Sequence, residues 1–378
     1  VDIYNWADDI EGGALEQAFN IAKLPFAFHH VAVMADGHQG FGMPIGGVLA
    51  TRGVIVPNAV GVDIGCGMAA VRTNLFDYDL QPDALKQVMA IVRGTVPLGL
   101  GQRQAEPQDW EGFDRAPRLF VIQRQLEAAR KQLGTLGAGN HFIEIQAEEH
   151  GPVWVMVHSG SRNFGLQVAG EYHKAAKVMC ERWHSKIPTP DLAFLPIETL
   201  EGKDYLEGMG YCLEFARENR AVMMRHVIEA LDQITGAVRV VVSLDVHHNY
   251  ARWEQHYGQS VLVHRKGATY AGAGSVGIIP GSMGTASYIV RGLGSQASFD
   301  SCSHGAGRRM SRTAARRDLD LNLEQAKMTA LGVVGGPRTA ADLDEAPGAY
   351  KDIDVVMAAQ RDLVEVSNKL RPLASLKG

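Results

Sequence analysis

Gly61-Val62-Asp63-Ile64-Gly65-Cys66-Gly67 places a carboxylate and a thiol three residues apart in a tight bend with apolar flanks. A second glycine-framed stretch, Ser303-His304-Gly305-Ala306-Gly307-Arg308, sets one imidazole among residues too small to shield it. Between them lie Asn140-His141, His158-Ser159-Gly160 and His248-Asn249, each a histidine beside a small or amide residue. One aspartate, one cysteine and several histidines suit a transition-metal site, because imidazole and thiolate favour such ions over Ca²⁺ or Mg²⁺. That assignment leaves one histidine over for chemistry. Residues 99–114 and 185–195 look like surface connectors, yet positions 63, 66, 141, 158 and 248 lie on both sides of them. The expectation is therefore one core built from distant segments.

Composition agrees with an ordinary globular chain: 46% hydrophobic and 21% charged residues in 378. No apolar run approaches the ~20 residues of a membrane-spanning helix. Val1-Asp2-Ile3-Tyr4 has no basic region ahead of an apolar stretch, so no secretory signal is expected. Four cysteines (Cys66, Cys180, Cys212, Cys302) are too few for a disulfide framework, which points to a reducing cytoplasm. The formal net charge of −5 gives no global attraction to nucleic acid. Any nucleic-acid contact must come from a local basic patch, and the candidates are Arg308, Arg309, Arg312, Arg316 and Arg317, joined by Arg162, Arg265 and Lys266. A solvated helix face explains Arg316 and Arg317 equally well.

β-branched runs predict strands at residues 30–34, 54–56, 153–157, 238–244 and 261–263, and a strand-like run at 141–145. Helical periodicity marks residues 14–23, 82–92, 119–133, 166–183, 205–234 and 353–366. At His247-His248 the strand period of two sends neighbours to opposite faces, so only one enters a site. Gly61, Gly65 and Gly67 are expected to supply unusual backbone angles beside Asp63 and Cys66. Cysteine with histidine ordinarily indicates Zn²⁺.

Taken together and in order, these motifs closely resemble the RtcB-type RNA ligases over almost the whole chain. The match includes Asp36-Gly37-His38-Gln39-Gly40, residues 134–144 ending in Asn140-His141-Phe142-Ile143-Glu144, and His158-Ser159-Gly160-Ser161-Arg162. It continues through His248-Asn249-Tyr250, Arg265-Lys266-Gly267-Ala268, Pro280-Gly281-Ser282-Met283-Gly284, the His304 stretch, Ala349-Tyr350-Lys351-Asp352 and Lys377-Gly378. The resemblance implies a single α+β domain over residues 1–378, with mixed sheets and surrounding helices, and an enzyme dependent on GTP and two Mn²⁺ ions. It joins RNA 3′-phosphate or 2′,3′-cyclic phosphate ends to 5′-hydroxyl ends, in RNA repair or tRNA splicing. It implies His304 as the nucleophile that takes GMP, and Asp63, Cys66, His141, His158 and His248 as metal ligands. It places Asn140, Phe142, Glu144, His248, Asn249, Ser282, Met283, Ser287, Gly305, Ala306, Gly307, Tyr350 and Lys377 around the nucleotide. Asp36, His38, Arg162, Lys266, Arg308 and Arg312 are implied near RNA or phosphate. Asn163-Phe164 after Arg162 and Gly37 between Asp36 and His38 depart from the usual pattern. The metal cluster taken alone equally permits a dinuclear phosphoesterase, and a non-catalytic RNA-binding relative is a further alternative.

Overall fold

The β-branched run at residues 30–34 belongs to a longer strand, Ala27–Phe41, in the computed structural model, which describes residues 1–378. This strand pairs parallel with Asp2–Asn5 and antiparallel with Met43–Thr51. The sheet continues through Gln259–Lys266 to Asn249–His256. A second sheet of seven strands is antiparallel throughout. Its order is Val276–Ile279, Ser287–Gly292, Val364–Lys377, Phe142–Ala147, Pro152–Ser159, Gly67–Phe76 and Val240–His247. Several neighbours in this sheet are far apart in the chain, which is how residues near 66, 141, 158 and 247 reach the same end of the sheet. The fold is α+β, and its mixed character is confined to the parallel pair of the first sheet.

One long helix, Leu200–Thr235, backs the second sheet. Thr199 caps its start by accepting a hydrogen bond from the Gly202 amide at 3.1 Å, and Gly236 ends it in the left-handed region at φ 83°. Met223, Val227 and Leu231 recur at helical spacing and pack with Val71, Val155 and Ile145 of the sheet. Each such fully buried side chain contributes about 1.5–3 kcal/mol. The same helix carries two buried polar residues, Asn219 and Arg220, which face the site rather than the apolar core.

Three sequence expectations are corrected. Residues 119–133 form two short helices, Phe120–Gln123 and Leu126–Gln132, with the chain turning at Arg124-Gln125. The helix expected over 353–366 stops at Ala359, and Val364–Lys377 is a 14-residue strand. Val364 and Val366 flank Glu365 with a period of two and are β-branched, so they suit strand pairing with Ser287–Gly292 better than a helix. The strand expected at 238–244 runs from Val240 to His247 and so ends beside the site. No helix is long and apolar enough to cross a membrane.

Candidate metal centre and nucleotide cleft

The bend that carries Asp63 and Cys66 is held open by glycine. Gly65 sits at φ 76°, and a Cβ there would come within 3.2 Å of the Cys212 carbonyl on the long helix. Gly67, expected to have an unusual backbone angle, does not; a Cβ there would lie 2.3 Å from the Val246 carbonyl, so the strand pairing excludes one. Arg220 ties the bend to the sheet by donating to the Gly65 and Ser159 carbonyls at 3.0 and 2.9 Å, with its charge balanced by Asp245. Asn219 holds the neighbouring loop through the Gly134 and Thr135 amides and the Gly160 carbonyl. These two residues position three ligand-bearing segments at once.

Strand register then brings the side chains together. Phe142 pairs with His158 and Met68 with His158, while Gly67 pairs with His247 at the end of its strand. Cys66 Sγ lies 3.2 Å from His158 Nε2 and 3.5 Å from His141 Nε2. His158 Nε2 is 3.3 Å from His248 Nε2, and His141 Nε2 is 3.1 Å from Asp63 Oδ2. The ligand atoms of Cys66, His141 and His158 all lie within 4.8 Å of one another. His247 faces away, with Nδ1 at the Gly65 carbonyl and Arg220 alongside, as the strand period predicted.

The donor set fits a cation on chemical grounds. Nδ1–H of His141 donates to the Leu136 carbonyl at 3.0 Å, and Nδ1–H of His158 donates to the Asn140 carbonyl at 2.9 Å. In the neutral His158 ring the bare Nε2 therefore points at Cys66 Sγ and His248 Nε2, an arrangement that a shared cation relieves. Burial, reinforced by the neighbouring Asp63, pushes the Cys66 thiol well up, and burial pushes His158 and His248 well down. These two imidazoles are held neutral, the form that can ligate a metal, and the thiol needs a cation to ionise. Burial also opposes ionisation of Asp63, but His141, Cys66 and Arg162 outweigh it and hold that carboxyl at about 2.

His304 stands next to this cluster. Its ring packs edge-on to His248 at a centroid distance of 4.8 Å. Asp36, fully buried, places Oδ2 2.6 Å from His304 Nδ1 and accepts the His304 amide at 3.1 Å. The Nδ1 contact lies off the axis of a straight hydrogen bond, and Asp36 Oδ1 has no partner. With Nδ1 turned to the carboxylate, Nε2 is the nitrogen available for attack. Asp36 was expected to contact RNA or phosphate; the structure buries it beneath the imidazole instead. His38, also placed with RNA by sequence, bonds the Asp36 carbonyl through Nδ1 at 2.9 Å, and burial lowers it to about 4.

A cleft of about 510 Å³ opens over His304, lined also by His38, Asn140, Phe142, Tyr350 and Lys377, with Gly305, Ala306 and Gly307 along its floor. Lys377 pairs in register with Phe142 and sets Nζ 4.6 Å from that ring, so the chain end is an ordered strand at the cleft mouth. Leu370, Leu373 and Leu376 bury beneath it. Several expected contacts serve other ends. Ser282 bonds Thr285 within its turn, and Ser287 Oγ meets the Gly281 amide and Gln146. Met283 packs with Met328 and Val333. Glu144 accepts from Ser375 and Gln146, and burial raises its carboxyl, so it forms the second layer of the wall. Asn249 braces the Asp63 carbonyl and the Gly267 amide.

The basic patch also divides. Arg265 is wholly buried against Glu254, and Lys266 Nζ donates to the Phe41 and Asn58 carbonyls, so neither reaches the cleft. Arg308 lines the cleft with its guanidinium already committed to Glu345, the Asp344 carbonyl and the Met310 carbonyl, 5.2 Å from the Tyr350 ring. Tyr350 donates its hydroxyl to Glu345. Arg162 and Arg312 do line open space, in a second cavity of about 860 Å³ that reaches Asp63 and His141 from the other side. That cavity also holds Arg93, Arg103 and Arg338, which are scattered in sequence and carry no local motif.

Comparison with known proteins agrees with the geometry. A family profile described as tRNA-splicing ligase RtcB matches residues 17–118 and 109–378. The chain is 44% identical to the RNA-splicing ligase RtcB of Escherichia coli, over 98% of this chain and 95% of that protein. It is 34% identical to the tRNA-splicing ligase RtcB of Pyrobaculum aerophilum and 33% identical to that of Thermococcus kodakarensis, each over 96% of this chain and 91% of the relative. This chain belongs to the RtcB family of RNA ligases.

Proposed function

We propose that the protein joins RNA 3′-phosphate or 2′,3′-cyclic phosphate ends to 5′-hydroxyl ends at the expense of GTP, with Mn²⁺ as its metal, acting as one catalytic domain in a cytoplasmic setting. The observation that supports this most is the placement of His304, with Asp36 at Nδ1, a cleft above the ring, and a Cys/His cluster beside it. A carboxylate at Nδ1 fixes the imidazole so that the Nε2 lone pair faces the cleft and stabilises the ring as positive charge develops.

In the first step Nε2 of His304 attacks the α-phosphorus of GTP. An N–P bond forms, the α–β bridging P–O bond breaks, and pyrophosphate leaves. A terminal oxygen of the RNA 3′-phosphate then takes GMP from His304, which regains its lone pair. Finally the 5′-hydroxyl oxygen bonds to the 3′-phosphorus, GMP departs, and the hydroxyl proton is released. A cyclic end is first opened by water to the 3′-phosphate. Cys66, His141 and His158, flanked by Asp63 and His248, are the residues that would hold the metal. Bound there, Mn²⁺ would supply Lewis-acid stabilisation of charge on phosphate oxygens. A Cys/His donor set also binds Zn²⁺ tightly, so added zinc is expected to inhibit. Lys377 at the cleft mouth offsets phosphate charge during transfer.

The test is ligation polarity. With GTP and Mn²⁺, substrate pairs ending in 3′-phosphate and 5′-hydroxyl are joined, and pairs ending in 3′-hydroxyl and 5′-phosphate are not. Sealing of only the second pair would refute this reading. tRNA halves, as the relatives' names indicate, are the first natural substrate to try.

A further inference from the structure

The larger cavity carries more positive charge than the protein's own acids neutralise. At about 860 Å³ it lies at the upper end of the roughly 300–1,000 Å³ that holds a small ligand. Its acidic lining is largely committed. Asp344 and Glu345 pair with Arg316, Arg308 and Arg312, and Asp342 accepts the backbone amides of Arg338 and Thr339. Arg93, at the end of the helix Pro82–Thr95, Arg103 in the following loop and Arg338 opposite are all exposed, and none has a carboxylate within ion-pair distance. Partial burial and the facing Arg338 charge both pull the Arg93 guanidinium below its usual value. Like charges gathered without counter-ions along a concave wall call for a polyanion.

Position says which polyanion end belongs there. The smaller cleft holds His304 and His158, while the larger cavity meets the same cluster at Asp63 and His141; Arg312 and Lys377 border both. In the final joining step the attacking oxygen and the departing GMP must lie roughly in line on opposite sides of the 3′-phosphorus. With GMP over His304, attack comes from the side of the larger cavity.

We propose that Arg93, Arg103 and Arg338 form a phosphate-binding wall that seats the RNA strand bearing the 5′-hydroxyl; this rests on the ligase reading above. These residues touch no catalytic group, so the nucleotide step provides an internal control. The Arg93→Glu/Arg338→Glu double variant forms the His304 adduct from GTP and Mn²⁺ at the wild-type rate. Its KM for a 5′-hydroxyl oligoribonucleotide rises at least about tenfold at 0.1 M salt, while KM for the 3′-phosphate strand stays within about twofold. The milder Arg93→Gln/Arg338→Gln pair flattens log KM against log salt by about 1.4, from about 0.7 per single-strand phosphate contact. Lysine at both positions restores most of the binding. Unchanged KM and salt slope would overturn the proposal, as would a KM rise confined to the 3′-phosphate strand or loss of adduct formation in the variants alone. Failure of the wild-type protein to form any adduct would refute the ligase reading instead.

Discussion

Replacing Glu254 with glutamine tests how the scaffold holds the turn ahead of His304. Glu254 and Arg265 lie on paired strands, and Arg265 is fully buried. The guanidinium donates to Glu254, to the Phe299 carbonyl at 2.7 Å and to Ser301 Oγ at 2.8 Å. Phe299 and Asp300 hold non-glycine positive φ angles of 49° and 50°, and the strand Ser301–Ser303 leads directly into His304. The clamp thus fixes a strained turn just ahead of His304. Burial alone would raise the Glu254 carboxyl, but the His256 hydrogen bond and the Arg265 charge outweigh it and bring it from the usual 4.5 to about 2. At about 1.4 kcal/mol per pH unit, that drop corresponds to about 3 kcal/mol of stability. Because the folded-state value is depressed, the contribution is complete above pH 4.5 and is lost as pH falls toward 2. Glu254→Gln keeps the shape and removes the charge, leaving Arg265 buried without its partner. Urea unfolding at pH 7 is expected to show a deficit of about 3 kcal/mol in the variant, shrinking as pH falls below 4.5. A deficit under about 1 kcal/mol, or one independent of pH, would refute the reasoning.

Two further outcomes follow from the site. Asp36→Asn slows adduct formation at His304 at least about 100-fold with bound metal unchanged, because the ring loses the carboxylate that stabilises its positive form; single-turnover kinetics with metal analysis check this, and a wild-type rate would remove Asp36 from the mechanism. Cys66→Ser lowers Mn²⁺ content and ligation together, since a hydroxyl ionises far less readily than a thiol; full activity at unchanged metal stoichiometry would reduce Cys66 to a packing residue.

The convergence of these residues is legible in the amino-acid sequence because glycine framing and strand ends leave local marks. Asp63, Cys66, His141, His158 and His248 converge, and His247 turns away as its strand period requires. What stayed hidden depends on tertiary approach. Asp36 carries a motif, but only the fold reveals that it lies beneath His304. Asn219 and Arg220 sit mid-helix with no local signal, and their roles arise from which loops the helix backs. Lys266 and Arg265 read as a basic pair, yet each long side chain finds buried acceptors. Arg93, Arg103 and Arg338 belong to separate segments and meet only across a cavity. The last strand is masked by Ile353, Val356 and Met357, whose helical period hands over to alternation only at Val364.

The central claim is that His304 carries GMP. Incubation with GTP radiolabelled at the α-phosphate and Mn²⁺, followed by denaturing electrophoresis and peptide mapping, tests it directly. An acid-labile label is expected on the peptide containing His304, absent in His304→Ala protein that retains its metal. Label on another residue, or an undiminished adduct in His304→Ala, would contradict it.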